Sequence, residues 1–475
     1  MINVLAQSMK RTQRVSISFV AAVIIFSSPT LVFAVGSSAF ENASYSARTL
    51  AQANAVIARP QDPSTISFNP AGLLELPGVQ TNLGLELLDF RVFHRNQVTG
   101  DHNQNEMKII EIPTFYLTAN PGELLDNRVA LGIGINSPFG LSSKFPSIGV
   151  GRYTGWENYM KMMATTISGA LKLSDKLSVG AGATNYWVFK YGQILNYPNQ
   201  NILNGGGVAG RYNDGKALIE TDGFGWGWNF GILAKPAPKH RLGFSFRSKA
   251  DVNAKGKVVI NGLELGGVQG YDVFPDFESG AHTQLHLPQN FTWGYAYVPS
   301  EKWAAEFDFG ITGWKIFEDQ NYDFDRNNAT LRGLGTIPRD YQDAWSFNLG
   351  GHRQISKKMD FLAGFFFYQA AAPKKHVDDF LPDAHRYGWT LGTSYKLSDR
   401  ASLDLMYMFI LFGSRIISNP QVPAKGGENI DGRYTSFIQG TFISFNYKFD
   451  FPFEKRVKVN SAPPTVEAKA PPAKV

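Results

Sequence analysis

Gly223-Phe224-Gly225-Trp226-Gly227-Trp228-Asn229-Phe230-Gly231-Ile232 alternates large apolar residues with small ones, without a break. In an extended chain successive side chains point to opposite faces, so Phe224, Trp226, Trp228, Phe230 and Ile232 share one face and the glycines with Asn229 share the other. A wide aromatic face backed by a small or polar one suits a strand that has lipid outside and a lumen inside. The pattern returns further on, where Trp303, Ala305, Phe307, Phe309 and Ile311 oppose Lys302, Ala304, Glu306, Asp308 and Gly310. A tilted membrane strand needs about 9–11 residues, and both runs reach that length.

Working outward from these runs, the connections sort into two kinds. Short turns are read near 120–127, 174–176, 235–240, 298–302, 355–358 and 397–400. Longer stretches rich in Gly, Asn, Asp and Pro are read near 93–105, 138–160, 193–217, 251–279, 315–339, 371–385 and 414–433. Short turns alternating with long loops imply about fourteen strands with both chain ends on the periplasmic side. The expected fold is therefore an all-β membrane protein: an antiparallel outer-membrane β-barrel of about fourteen strands spanning 78–450, plugged by an N-terminal hatch.

The ends of the chain read differently. Lys10, Arg11 and Arg14 precede the mostly apolar run Val15 to Phe26, and Val32-Phe33-Ala34 offers a cleavage site, so residues 1–34 are expected to be a secretory signal peptide. Residues 35–77 form the expected hatch. They are rich in Ala and Ser, with a short helix expected within Ala43 to Ala58, and too few large apolar groups to build a core alone. Ser67-Phe68-Asn69-Pro70-Ala71-Gly72 closes this segment with a turn signal, because Pro fixes φ and Asn caps or turns the chain. Residues 451–475 end in a Pro/Ala/Lys tract, expected as an extended periplasmic tail.

Composition narrows the function. The chain has 475 residues and no cysteine, which removes disulfides, thiolate metal sites and cysteine nucleophiles. Its net charge of +6 resides in the signal and the tail, leaving the middle near neutral, so no nucleic-acid partner is expected. No zinc-type histidine spacing or nucleophile–base pair is visible, and neither a cofactor, a metal nor an enzyme is expected. Gly205–Gly210 lacks the Lys-Ser/Thr of a phosphate cradle. Asp323, Asp325 and Asn327 begin like a calcium loop, but Asn328 and Leu334 stand where its Gly and Glu belong.

A barrel this wide cannot be filled by its own side chains, so the lumen holds water, plug or ligand. Met406, Met408 and Ile410 lie opposite Leu403, Leu405, Tyr407, Phe409 and Leu411; Leu362, Phe366 and Tyr368 oppose Phe361, Phe365 and Phe367. Apolar residues thus face inward as well as outward, which suits an apolar passenger better than a hydrated porin channel.

The order of motifs resembles the FadL/TodX-type outer-membrane transporters of long-chain fatty acids and hydrocarbons. The matching residues are Phe40, Asn69-Pro70-Ala71, Ser137-Pro138-Phe139-Gly140-Leu141, Gly151-Arg152-Tyr153, Gly225-Trp226-Gly227, Arg247-Ser248-Lys249, Leu287-Pro288, Thr312-Gly313-Trp314 and Leu381-Pro382-Asp383-Ala384. The resemblance implies a hatch whose Asn-Pro-Ala motif lies near an inward kink in the third strand, and a sideways exit for substrate through the wall. It makes Phe40, Asn69, Pro70 and Ala71 the gating candidates, and Ser137, Pro138, Phe139 and Gly140 the candidates for the opening. Pro and Gly suit a break in pairing there, although an ordinary strand end at Ser137, or a kink nearer Gly132–Gly134, reads equally well. Lys144, Arg152 and Lys161 are the candidate carboxylate contacts.

The implied activity is passive outer-membrane transport of a hydrophobic small molecule, foremost a long-chain fatty acid. Aromatic or aliphatic hydrocarbon is the alternative substrate, and a surface-interaction barrel (adhesin or phage receptor) the alternative class. Expected partners besides substrate are outer-membrane lipid and lipopolysaccharide, around a monomer.

Overall fold

The computed structural model describes residues 39–42, 44–149, 151–197, 214–262, 264–265, 272–273, 277–326, 335–377, 383–418 and 430–449. The expected signal peptide and tail, Gly205–Gly210 and Leu381-Pro382 lie outside them. Fourteen strands form the wall: β1 Gly78–Asn96, β2 Ile109–Asn120, β3 Val129–Asn136, β4 Glu157–Ser174, β5 Leu177–Tyr197 and β6 Gly215–Ala237. β7 runs in two pieces, His240–Arg247 and Ala250–Asn261, and β8 likewise, Phe277–Leu287 and Asn290–Ser300. β9 Trp303–Thr312, β10 Ala344–Gln354, β11 Met359–Tyr368, β12 Arg386–Lys396, β13 Ala401–Phe412 and β14 Gly432–Phe449 complete the ring. Each strand pairs antiparallel with the next, and β14 closes on β1 from Val79↔Phe449 to Asn96↔Gly432. Closure leaves no free first or last strand at the lipid.

The short turns fall where the sequence places them. The long connection read at 251–279 is shorter, because Ala250–Asn261 continues as strand. Its outward residues Asp251, Asn253, Lys255 and Lys257 are exposed and polar, so their lack of an apolar face hid a wall that extends past the aromatic zone. Phe224 and Trp226, 65% and 67% exposed, mark that zone on β6.

Alternation divides the lumen vertically as well. On β1 the inward residues run Gln80, Asn82, Glu86 near the short-turn end, then Leu88, Phe90, Val92 toward the long loops, all buried. On β13 the order is Asp404, then Met408, Ile410 and Phe412. The lower storey is polar or small and the upper storey apolar.

Residues 44–77 occupy the lower storey, while 39–42 reach up into the apolar one. Helix α1, Ala47–Leu50, is a single turn capped by the Ser46 side chain, which accepts from Thr49 N. The helix expected through Ala58 stops there, because Ala53 and Asn54 take left-handed conformations, φ 55° and 57°. Helix α2, Thr65–Phe68, and the 3₁₀ turn Pro70–Glu75 lead into β1.

So little regular structure leaves many backbone groups without local partners, and the wall supplies them. Ser444 Oγ on β14 accepts from Ala47 N at 2.9 Å, and Thr390 Oγ1 on β12 accepts from Ala53 N at 3.1 Å. Asn348 on β10 donates to Ala53 O at 2.6 Å, and Asn229 on β6 to Ile66 O at 2.8 Å. Contacts from strands on every side place this segment inside the ring. Glycines let its backbone approach the wall: a Cβ on Gly350 would stand 1.9 Å from Gln52 O.

Candidate functional site

β3 is where the ring departs from regularity. It pairs with β2 from Ala119↔Leu131 to Phe115↔Ile135, and there the ladder stops. Among the described residues, no ladder pair joins β3 to Ile109–Thr114 of β2. On its other side β3 leaves β4 after Asn136↔Ala164, and pairing resumes at Leu141↔Met160 in the short strand Leu141–Lys144.

The intervening Ser137–Gly140 turns to the N-terminal segment instead. Gly140 N donates to Phe40 O at 2.9 Å, Asn42 N donates to Pro138 O at 2.8 Å, and Glu41 bridges Phe139. Asn42 Nδ2 adds a bond to Ser137 O at 2.9 Å, while Ser137 Oγ holds Met162 O of β4 at 2.9 Å. Gly132 and Gly134, the other position considered for a break, stay laddered to both neighbours and are covered by Ile66. The gap opens at the apolar storey, with Ile110 and Ile112 inward on its β2 flank. Pro113 stands in that flank, and a ring nitrogen donates no ladder bond. It was the sequence signal for this break.

Phe40 is buried in an aromatic box. Its ring centroid lies 4.7 Å from Trp314 and 5.3 Å from Phe317, both edge-on, and 6.1 Å from Phe139. Trp314 arrives from the loop after β9, the Thr312-Gly313-Trp314 motif. Residues flanking Phe40 are held by two arginines. Arg386 Nη2 donates to Ala39 O at 2.7 Å, and Arg247 Nη2 pairs with Glu41 while its guanidinium lies 4.8 Å over the Phe139 ring.

Asn69–Ala71 sit elsewhere. Asn69 Nδ2 donates to Ile57 O at 2.8 Å and Ile232 O at 2.9 Å, its Oδ1 accepts from Ala71 N, and Ser178 reaches Ala71 O. Asn-Pro-Ala is therefore packed on β5 and β6, and Phe40 rather than this motif meets the kink.

The candidate cations are placed apart from the box. Lys144 is paired with Glu106 at 2.7 Å on the surface, and Arg152 is buried against Asp214 at 3.5 Å. Both are already taken by carboxylates from neighbouring loops. Lys161 is half-buried beside the β4–β5 bulge, opposite Lys190.

Arg386 is a cation that the apolar storey holds. Fully buried, it lies 4.7 Å over the Phe412 ring and shares Nη2 with Asp383 at 3.1 Å. Asp383 also accepts Ala371 N and Ala372 N, so that carboxylate is largely spent on the loop. Among the described residues, Arg386 Nε and Nη1 meet no acceptor. Its signal in the sequence was register: an Arg at the long-loop end of a strand, in phase with inward Gly388 and Thr390.

A second charged group was visible only as a polar face. Asp308 Oδ2 accepts Val56 N at 3.0 Å and Ile57 N at 3.2 Å, and Glu306 accepts Ala58 N at 2.5 Å. Arg59 stands 3.7 Å from Glu306, its guanidinium lowered by burial to about 10 and still charged at neutral pH. These carboxylates grip one turn of the plug.

Residues 31–451 match the family described as outer membrane protein transport protein (OMPP1/FadL/TodX). The chain belongs to this family. It is an outer-membrane β-barrel of the FadL/TodX type, a transporter of hydrophobic compounds. It is 23% identical to the long-chain fatty acid transport protein of Salmonella typhi, across 68% of this chain and 74% of that one. Outer membrane protein P1 of Haemophilus influenzae is 22% identical across 82% and 89%. Among solved structures, a Pseudomonas aeruginosa FadL homologue superposes with a TM-score of 0.74 at 18% identity, covering 87% of this chain and 100% of its own. The Pseudomonas putida toluene transporter TodX gives 0.65 at 16%, covering 86% and 99%. At such identity the structures establish the shared fold.

Proposed function

We propose that this protein carries long-chain fatty acids passively across the outer membrane and releases them sideways into it. The observation that carries this reading is the unpaired stretch between β2 and β3, which opens at the level of the apolar storey. An apolar chain in that storey gains about 0.8 kcal/mol per buried CH₂, and the gap offers it a route that avoids the polar floor. Rearrangement of Phe40 and of the bonds at 40–42 governs that route, with Asn69–Ala71 as the pivot of the plug. Arg386, with two N–H groups that meet no acceptor among the described residues, favours a carboxylate head.

A hydrocarbon passenger is the second reading, supported by an upper lining of Met, Ile, Leu and Phe that demands no head group. Competition binding on the folded barrel tests both, using a fluorescent long-chain fatty acid as probe. Displacement by unlabelled fatty acid and not by toluene supports the first reading; displacement by toluene alone supports the second. Absence of saturable binding by either overturns both.

A further inference from the structure

Resting on the sideways-exit reading, we infer that the Arg247–Glu41 ion pair is the latch that holds the kink inward, making Arg247 the positioning residue of the exit. Nothing in the ladder fixes Ser137–Gly140: its β2 partner is missing, and its pairing with β4 is interrupted. Among the described residues, it is tied to residues 40–42 and, through Ser137 Oγ, to Met162 O and its own Phe139 O. Residues 40–42 must in turn be held by the wall. Glu41 lies at the centre of that short bridge, and its carboxylate goes to Arg247 at the end of the first piece of β7, four strands round the ring from β3.

Arg247 acts on the kink a second time. Its guanidinium covers the Phe139 face while Phe40 approaches from another side, so Phe139 is held through charge as well as packing. The pair also has room to part. Glu41 and Arg247 border a cavity of about 90 Å³ with a mixed lining, shared with Tyr45, Asn290, Thr292 and Tyr368 and with apolar Ile57 and Phe68. Once separated, both side chains would find hydroxyl and amide partners in its polar part. A ligand carboxylate that displaces Ala39 O from Arg386 would free the backbone two positions before residue 41.

The native chain has no cysteine, so spin labels can be placed at will. Ser142→Cys and Glu111→Cys put labels on either side of the gap, and electron-spin distance measurement on the folded barrel reads its width without any ligand. Glu41→Gln, nearly isosteric, and Arg247→Met are each expected to shift or broaden the distance distribution. The charge-swapped double variant Glu41→Arg/Arg247→Glu is expected to restore it. Unchanged distributions in both single variants overturn the latch, as does a swap that restores nothing. Fatty acid uptake by cells carrying the same variants separates the two ideas. A shifted distribution with normal uptake supports the latch and removes the sideways exit, whereas loss of both together supports each.

Discussion

Two regions of one lumen are built by the same strands from opposite residue types. Along the inward face of β13, Asp404 gives way to Met408, Ile410 and Phe412; along β1, Gln80, Asn82 and Glu86 give way to Leu88, Phe90 and Val92. The floor offers hydrogen-bond partners, and the plug, with only two single-turn helices and one 3₁₀ turn, uses them for its backbone. The upper storey offers almost none. A peptide segment there would bury unpaired amides at about 1–3 kcal/mol each, whereas an alkyl chain loses nothing. The difference teaches that vertical polarity sorts occupants: backbone below, apolar guest above. The wall gap opens beside the guest.

Four measurements break or sharpen this contrast. Glu306→Leu strips the partner from buried Arg59 and from Ala58 N, so the plug should lose about 3–5 kcal/mol, read as a lower denaturant midpoint and as tryptic cutting after Arg48. A plug that stays protected would mean the floor does not grip it. Arg386→Met should weaken fatty acid binding by about 1.5–3 kcal/mol, the range of a charge-assisted bond, and leave toluene binding unaltered; equal loss for both ligands would make Arg386 structural. Gly350→Ala forces a Cβ onto Gln52 O, and overpacking of this kind costs about 1–3 kcal/mol. A truncation at an outward position, Leu405→Ala, should by contrast leave the melting temperature nearly constant. Least in size, each added CH₂ should tighten binding by about 0.8 kcal/mol until the chamber fills, and Met408→Ala should move that plateau to longer acids. A plateau unmoved by Met408→Ala would place the chain elsewhere.

The wall was legible because lipid leaves a period-two mark: Phe224, Trp226 and Trp228 face outward in the structure as their alternation requires. The turns were legible from Gly, Asn and Pro. Where lipid ends the mark fades, which is why Ala250–Asn261 reads as loop. Within the site, Phe40 and Ser137–Gly140 were named and do meet. Lys144 and Arg152 were chosen for charge alone, and sequence cannot see that Glu106 and Asp214 neutralise them. Arg386 and the Glu41–Arg247 pair went unassigned because their partners lie hundreds of positions away.

By itself, then, the sequence determined the barrel, its strand count and the family, since each strand answers locally to lipid on one side and lumen on the other. Only tertiary structure decided which charges are spent, where the plug is gripped and where the wall parts. Those outcomes depend on pairings between distant segments: Phe40 with Trp314, Ala39 with Arg386, Glu41 with Arg247. Closing the ring brings these together, and no local pattern encodes which inward side chain will find which.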